Sequence, residues 1–147
     1  MAASFVLGVV EESQAIPLHP AFVHFPVAML SATWGLVVVR HWTGSATWER
    51  LVAPFEWIGV AFLPIVIISG LRDADWLEFL IEVEWDQPLI WHFMVSMTAA
   101  VVFTVHAFWR RNRRVEGADR WVDIGLTTVG FWLLILTGLI AGEMVYG

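Results

Sequence analysis

Four long apolar segments dominate the chain, and charged residues are concentrated between them. Each segment has roughly 20 residues, and a helix of that length crosses a hydrocarbon core of ~30 Å at ~1.5 Å per residue. None of them shows the polar face that a helix of a soluble bundle carries. The pattern predicts an all-α integral membrane four-helix bundle with short loops. It forms one transmembrane domain over residues 1–147, with spans at about 20–40, 52–71, 88–109 and 121–145.

Composition supports a lipid environment and excludes several classes of protein. The chain is 59% hydrophobic and 15% charged, whereas soluble domains carry about 25% charged residues. Its net charge of −6 argues against a nucleic-acid partner. The absence of cysteine excludes disulfides, iron–sulfur clusters and covalently attached c-type haem.

The distribution of charge predicts an orientation in the membrane. Acidic residues crowd the second loop, between residues 73 and 86. Positive charge marks the cytoplasmic side, so the first and third loops are expected there, with both termini on the periplasmic side of a bacterial inner membrane. Seven of the eight arginines lie in or beside those two loops: Arg40, Arg50, Arg110, Arg111, Arg113, Arg114 and Arg120.

The second loop carries a pattern of its own. Trp76, Phe79, Leu80 and Val83 are spaced as one face of a helix, with acidic residues between them. This predicts an amphipathic surface helix, whose acidic side could dock a soluble cytochrome; a solvated anionic loop is the alternative. The apolar extension over residues 1–17 is interpreted as interfacial or as contacting a partner.

The histidines are the candidates for chemistry, because ionisable residues within membrane spans are costly and usually functional. All five lie in or at the ends of the first and third segments. His92 and His106 are 14 residues apart, which is ~40° short of four turns and a rise of ~21 Å. Both rings can therefore face the bundle interior, one near each membrane surface. That layout is typical of a helix that carries one axial ligand for each of two stacked haems.

Two further ligands are expected from the first segment, which runs parallel to the third. His24 matches the depth of His92, and His41 matches the depth of His106, as metal ligands to haem iron. The spacing from His24 to His41 is ~100° from whole turns, so the inner pair aligns less well. His19 is an alternative outer ligand, although its helical rise would place it among the headgroups.

Structural roles for the same polar residues stay open. The histidines could cap helices, hydrogen-bond carbonyls or lie at the interface. Glu56, Asp123 and Glu143 are expected to be charges at helix ends that reach the interface, with Glu56 pairing with Arg50 or taking up protons as alternatives. No nucleophile–base pair, carboxylate dyad or phosphate loop is visible, so no independent catalytic activity is predicted.

One motif resembles a known family. The stretch LHPAFVHFPVA over residues 18–28 resembles the HPxxVHFP opening of helix 1 in an uncharacterised bacterial family of small four-helix membrane proteins. His92 near the start of the third segment also fits, and the resemblance covers about 18–146. The family is similar at superfamily level to two-haem b-type cytochromes, which implies haem for His24 and His92 more than for His41.

Two hypotheses about function follow. In the first, the protein binds one or two b-type haems and passes electrons between quinol and other membrane partners. In the second, it is a cofactor-free accessory subunit of a larger respiratory or photosynthetic complex. The rich tryptophan content and small extramembrane mass favour the second hypothesis.

Overall fold

The computed structural model describes residues 17–74, 87–111, 113 and 115–146, and its regular structure there is entirely helical. The predicted spans lie within four helices, each long and apolar enough to cross a membrane. The prediction of an all-α, four-span membrane architecture is confirmed. The helices are α1 (His19–Thr43), α2 (Ala46–Asp73), α3 (Pro88–Arg111) and α4 (Asp119–Tyr146).

Local sequence signals set the turn between α1 and α2. Pro20 occupies the first turn of α1, where a missing backbone N–H leaves no bond unmade. The helix ends at Gly44, whose φ of 63° is left-handed and whose N–H donates to the Arg40 carbonyl. Ser45 then caps α2 by accepting a hydrogen bond from the backbone N–H of Thr47 at 3.3 Å. Two residues therefore suffice to join antiparallel helices.

The four helices form a ring in which each contacts two neighbours. The α1–α2 and α3–α4 pairs pack most extensively, and α1–α4 and α2–α3 contacts close the ring. The first turns of α1 and α3 lie at the same end, since the rings of His19 and His92 meet there. We call this the His19 end and the opposite one the Arg40 end. Interior side chains of the diagonal pair α1 and α3 can thus meet across the bundle.

Glycines allow two close contacts between helices. A Cβ at Gly59 of α2 would lie 2.6 Å from Leu30 Cδ2 of α1, and one at Gly130 of α4 would lie 2.7 Å from Phe103 Cε2 of α3. Leu30 and Phe103 are both buried. Small residues at crossings are how membrane helices gain packing, because lipid supplies no hydrophobic drive for association.

The outer surface of the described bundle is apolar, as lipid contact requires. Trp91, Trp132 and Leu139 all expose more than half of their area. The predicted surface helix around residues 76–83 lies outside the described residues, as does most of the extension over 1–17.

Candidate functional site

A cavity of about 510 Å³ opens at the His19 end of the bundle between all four helices and reaches inward as far as Leu30 and Leu63. Its wall is mainly apolar, with side chains such as Leu63, Phe93 and Leu134. His19 and His92 are the two histidines in that wall. A mostly apolar cavity with a few convergent polar groups is the usual form of a cofactor site.

The two imidazoles lie close together within the bundle, in a T-shaped contact. Their ring centres are 6.2 Å apart and their planes cross at 85°. His19 Nδ1 lies 3.1 Å from the Val66 carbonyl oxygen, and His92 Nδ1 lies 3.2 Å from the Thr137 carbonyl oxygen. A carbonyl only accepts, so Nδ1 is the donor in both rings, and in a neutral ring Nε2 then keeps its lone pair. Within the described residues, neither Nε2 makes a hydrogen bond.

Three residues near the end of α2 position His19. Ser69 Oγ lies 3.3 Å from His19 Nδ1, and the Asp73 carboxylate accepts the His19 backbone N–H at 2.7 Å. That carboxylate also suits the positive N-terminus of α1. Gly70 leaves room for the imidazole, since a Cβ there would lie 3.0 Å from His19 Nδ1. The ring is thereby oriented before any ligand binds.

Thr137 carries an unpaired hydroxyl in the wall of the cavity. The residue is 8% exposed, and its Oγ1 has no hydrogen-bond partner among the described residues. By contrast, the hydroxyls of Thr33, Thr98 and Thr127 donate to the carbonyl four residues earlier. A buried hydroxyl without a partner costs about 1–3 kcal/mol. Such a group is expected where a bound molecule supplies the partner.

His24 occupies a different position from the one that helix geometry suggested. Its ring is exposed on the outside of α1, and its Nδ1–H donates to the Pro20 carbonyl at 2.5 Å. It is not among the residues that line the cavity. The structure therefore brings His92 together with His19 rather than with His24. His19 is the first residue of α1, His24 the sixth, and His92 the fifth of α3. Position along the helix therefore does not choose between His19 and His24, and only the packed bundle does.

His41 lies at the Arg40 end, among aromatic rings. Its ring centre is 4.7 Å from Trp121 and 5.8 Å from Trp42, both in edge-on contacts. Its Nδ1 is buried without a hydrogen-bond partner among the described residues. The inner pairing of His41 with His106 is not seen, because His106 is engaged elsewhere.

An ion cluster fills the interior at the Arg40 end. Asp123 is its centre: its carboxylate accepts from Arg40 Nη1 at 3.2 Å, from His106 Nε2 at 3.0 Å and from Arg110 Nη1. Asp123 and His106 are fully buried. The cluster contains six ionisable side chains drawn from all four helices: Arg40, Glu49, Glu56, His106, Arg110 and Asp123.

Glu49 joins the two arginines at the edge of the cluster. Its Oε2 lies 2.5 Å from Arg40 Nε, and its Oε1 lies 2.6 Å from Arg110 Nη2. Arg40 also donates through Nη2 to the Val115 carbonyl in the connection before α4. Each guanidinium is therefore shared between Glu49 and Asp123, which ties the starts of α2 and α4 to the ends of α1 and α3.

His106 has no ring nitrogen free for a metal. Its Nδ1 lies 2.5 Å from Glu56 Oε1, and its Nε2 contacts Asp123. The expectation that Glu56 and Asp123 are helix-end charges reaching the interface is wrong, since they are 1% and 0% exposed. The reason is mutual compensation of charge, which lets them stay inside the bundle. Glu143 is exposed near the end of α4, as expected.

Over its described residues, the chain forms four helices long and apolar enough to cross a membrane, with a histidine-bearing cavity at one end and a buried ion cluster at the other. A family model described as "Predicted membrane protein (DUF2231)" matches residues 15–147, so the chain belongs to that family. No curated protein and no solved structure matches it.

Proposed function

We propose that the cavity at the His19 end binds one b-type haem, whose iron His19 and His92 would hold, and that the protein carries electrons within the membrane. The observation that carries this proposal is the close pair of imidazoles on diagonal helices, each with Nδ1 at a backbone carbonyl. Metal-bound histidines almost always use their second nitrogen in this way.

The spacing of the rings fits a shared metal. Two imidazoles on one ion, with metal–nitrogen bonds of ~2 Å, have ring centres ~6 Å apart. His19 and His92 have centres 6.2 Å apart. Two neutral imidazoles would supply the ligands of a low-spin, electron-transferring iron. Bound haem supplies one-electron chemistry, whereas the protein supplies the ligands, their orientation and an apolar enclosure.

The remainder of the cavity supports the same occupant. Its volume of about 510 Å³ lies within the range of cofactor pockets. The unpaired hydroxyl of Thr137 offers a hydrogen bond to a polar group of the bound molecule. Since the chain has no cysteine, the haem would be held without covalent attachment.

The proposal is narrower than the four-histidine set suggested by the sequence. It keeps His92, replaces His24 with His19, and omits the inner pair because both nitrogens of His106 contact carboxylates. The proposed setting is a bacterial inner membrane with both termini on the periplasmic side. The electron partners are proposed to be quinol and other membrane proteins, or a soluble cytochrome at the acidic loop.

Substitution of single histidines tests the ligand pair. His19→Ala and His92→Ala should each abolish stable haem binding, measured as haem per purified chain after reconstitution in nanodiscs. His24→Ala is the matched control, because that ring lies one turn away on α1 but faces outward. Haem retained in both cavity variants would refute the ligand assignment.

Chemical rescue and Thr137 sharpen the test. Imidazole added to a His19→Gly variant should restore the low-spin spectrum, since the free ligand can enter the space left by the ring. Thr137→Val removes the unpaired hydroxyl without changing shape and should weaken haem retention or shift its potential, whereas Thr137→Ser should not. A wild-type protein that binds no haem would instead favour the cofactor-free accessory subunit.

A further inference from the structure

The ion cluster at the Arg40 end has an unequal number of fixed charges. Arg40 and Arg110 contribute two positive charges that are not lost at any ordinary pH. Glu49, Glu56 and Asp123 contribute three carboxylates, each within 3.2 Å of a cationic or imidazole nitrogen. Without one more proton, the cluster would carry a net negative charge inside a membrane bundle, which is costly.

Hydrogen-bond chemistry indicates where that proton lies. An ionised carboxylate has acceptors but no donor, so any ring nitrogen in contact with it must carry a hydrogen. Both nitrogens of His106 meet carboxylate oxygens, Glu56 Oε1 at 2.5 Å and Asp123 Oδ1 at 3.0 Å. A neutral imidazole has only one N–H and would leave one of these contacts without a hydrogen.

We propose that the ion cluster is a proton-binding site, which holds one proton per chain as the imidazolium of His106. With this proton, three positive charges balance three negative charges, and every short nitrogen–oxygen contact has a donor. The site is separate from the haem proposal, since it lies at the opposite end of α3 and uses none of the same residues.

All four helices contribute charges to the surroundings of His106. Arg40 comes from α1, Glu49 and Glu56 from α2, Arg110 from α3 itself and Asp123 from α4. Trp109 stacks beside the ring, with centres 5.8 Å apart. Loss of the proton leaves a net negative charge and an imidazole lone pair opposite a carboxylate. The Arg40 end is therefore held together by proton binding.

Nitrogen NMR measures the protonation state directly. The full-length protein, labelled with ¹⁵N-histidine in nanodiscs, gives distinct signals for N–H and lone-pair ring nitrogens. The His106 signals are identified by their loss in His106→Gln. At about pH 7.5, above the ordinary histidine pKa of ~6.5, His106 should show two N–H nitrogens. A lone-pair nitrogen on His106 at that pH would overturn the proposal.

Changing the charge count supplies a second, independent test. Glu56→Gln leaves two carboxylates to balance two guanidiniums, so His106 should lose its extra proton and show one lone-pair nitrogen at the same pH. Glu143→Gln is the control, because Glu143 is exposed on α4 away from the cluster. In infrared spectra of the wild type, a carboxylic-acid band that disappears in Glu56→Gln would place the proton on Glu56 and refute its assignment to His106.

Discussion

Removing the charge of Asp123 should be the most damaging conservative substitution in the bundle. Asp123→Asn keeps size and shape but takes away the carboxylate that Arg40, His106 and Arg110 share. The aspartate is 0% exposed, so water cannot replace it. Removal of one partner from a buried charge pair typically costs about 3–5 kcal/mol, and we expect a loss of stability in this range.

The same helix offers a matched control for this substitution. Asp119 lies one turn before Asp123, and its contact is an exposed pair with Arg113 at 3.8 Å. Exposed pairs contribute about 0–1 kcal/mol, so Asp119→Asn should change stability little. Both variants are compared by equilibrium unfolding in mixed micelles, followed by tryptophan fluorescence. Equal stabilities within ~0.5 kcal/mol would refute the view that the ion cluster holds the helices together.

Two glycine substitutions test other parts of the structure. Gly70→Ala places a Cβ 3.0 Å from His19 Nδ1 and should lower haem retention. Gly138→Ala is the control, because its Cβ meets nothing within 4 Å and haem retention should not change. Equal haem content in both variants would contradict the role of His19. Gly130→Ala forces a Cβ to 2.7 Å from the ring of Phe103 and should lower the free energy of unfolding by about 1–3 kcal/mol through overpacking. Gly138→Ala is the control in the same unfolding assay. A stability equal to that of the control would contradict this packing.

Hydropathy was sufficient for the architecture. Four apolar segments of membrane-spanning length define the helices, because each backbone must satisfy its own hydrogen bonds in lipid. Signals at helix ends were equally local: Gly44 and Ser45 place the turn between α1 and α2. Hydropathy does not indicate which helices lie diagonally across the bundle. That arrangement decides which histidines can meet.

The functional sites depended on information that the linear pattern lacks. Ideal helix rise places His19 at the end of α1, but it does not show that His19 meets His92 there or contacts α2 through Ser69. Glu56 and Asp123 look isolated along the chain and are neutralised only by residues on other helices. Charges that compensate each other across helices cannot be paired from spacing within one segment.

The central claim is that one haem b binds between α1 and α3. The most direct test is a dithionite-reduced minus oxidised spectrum of the purified wild-type protein, combined with a pyridine haemochrome assay. The account predicts sharp Soret and α bands of a low-spin b-type haem and a stoichiometry of one per chain. Two haems per chain would show that His19 and His92 are not the whole ligand set. A colourless protein after reconstitution with haem would contradict the account and leave the paired imidazoles of His19 and His92 with a structural role.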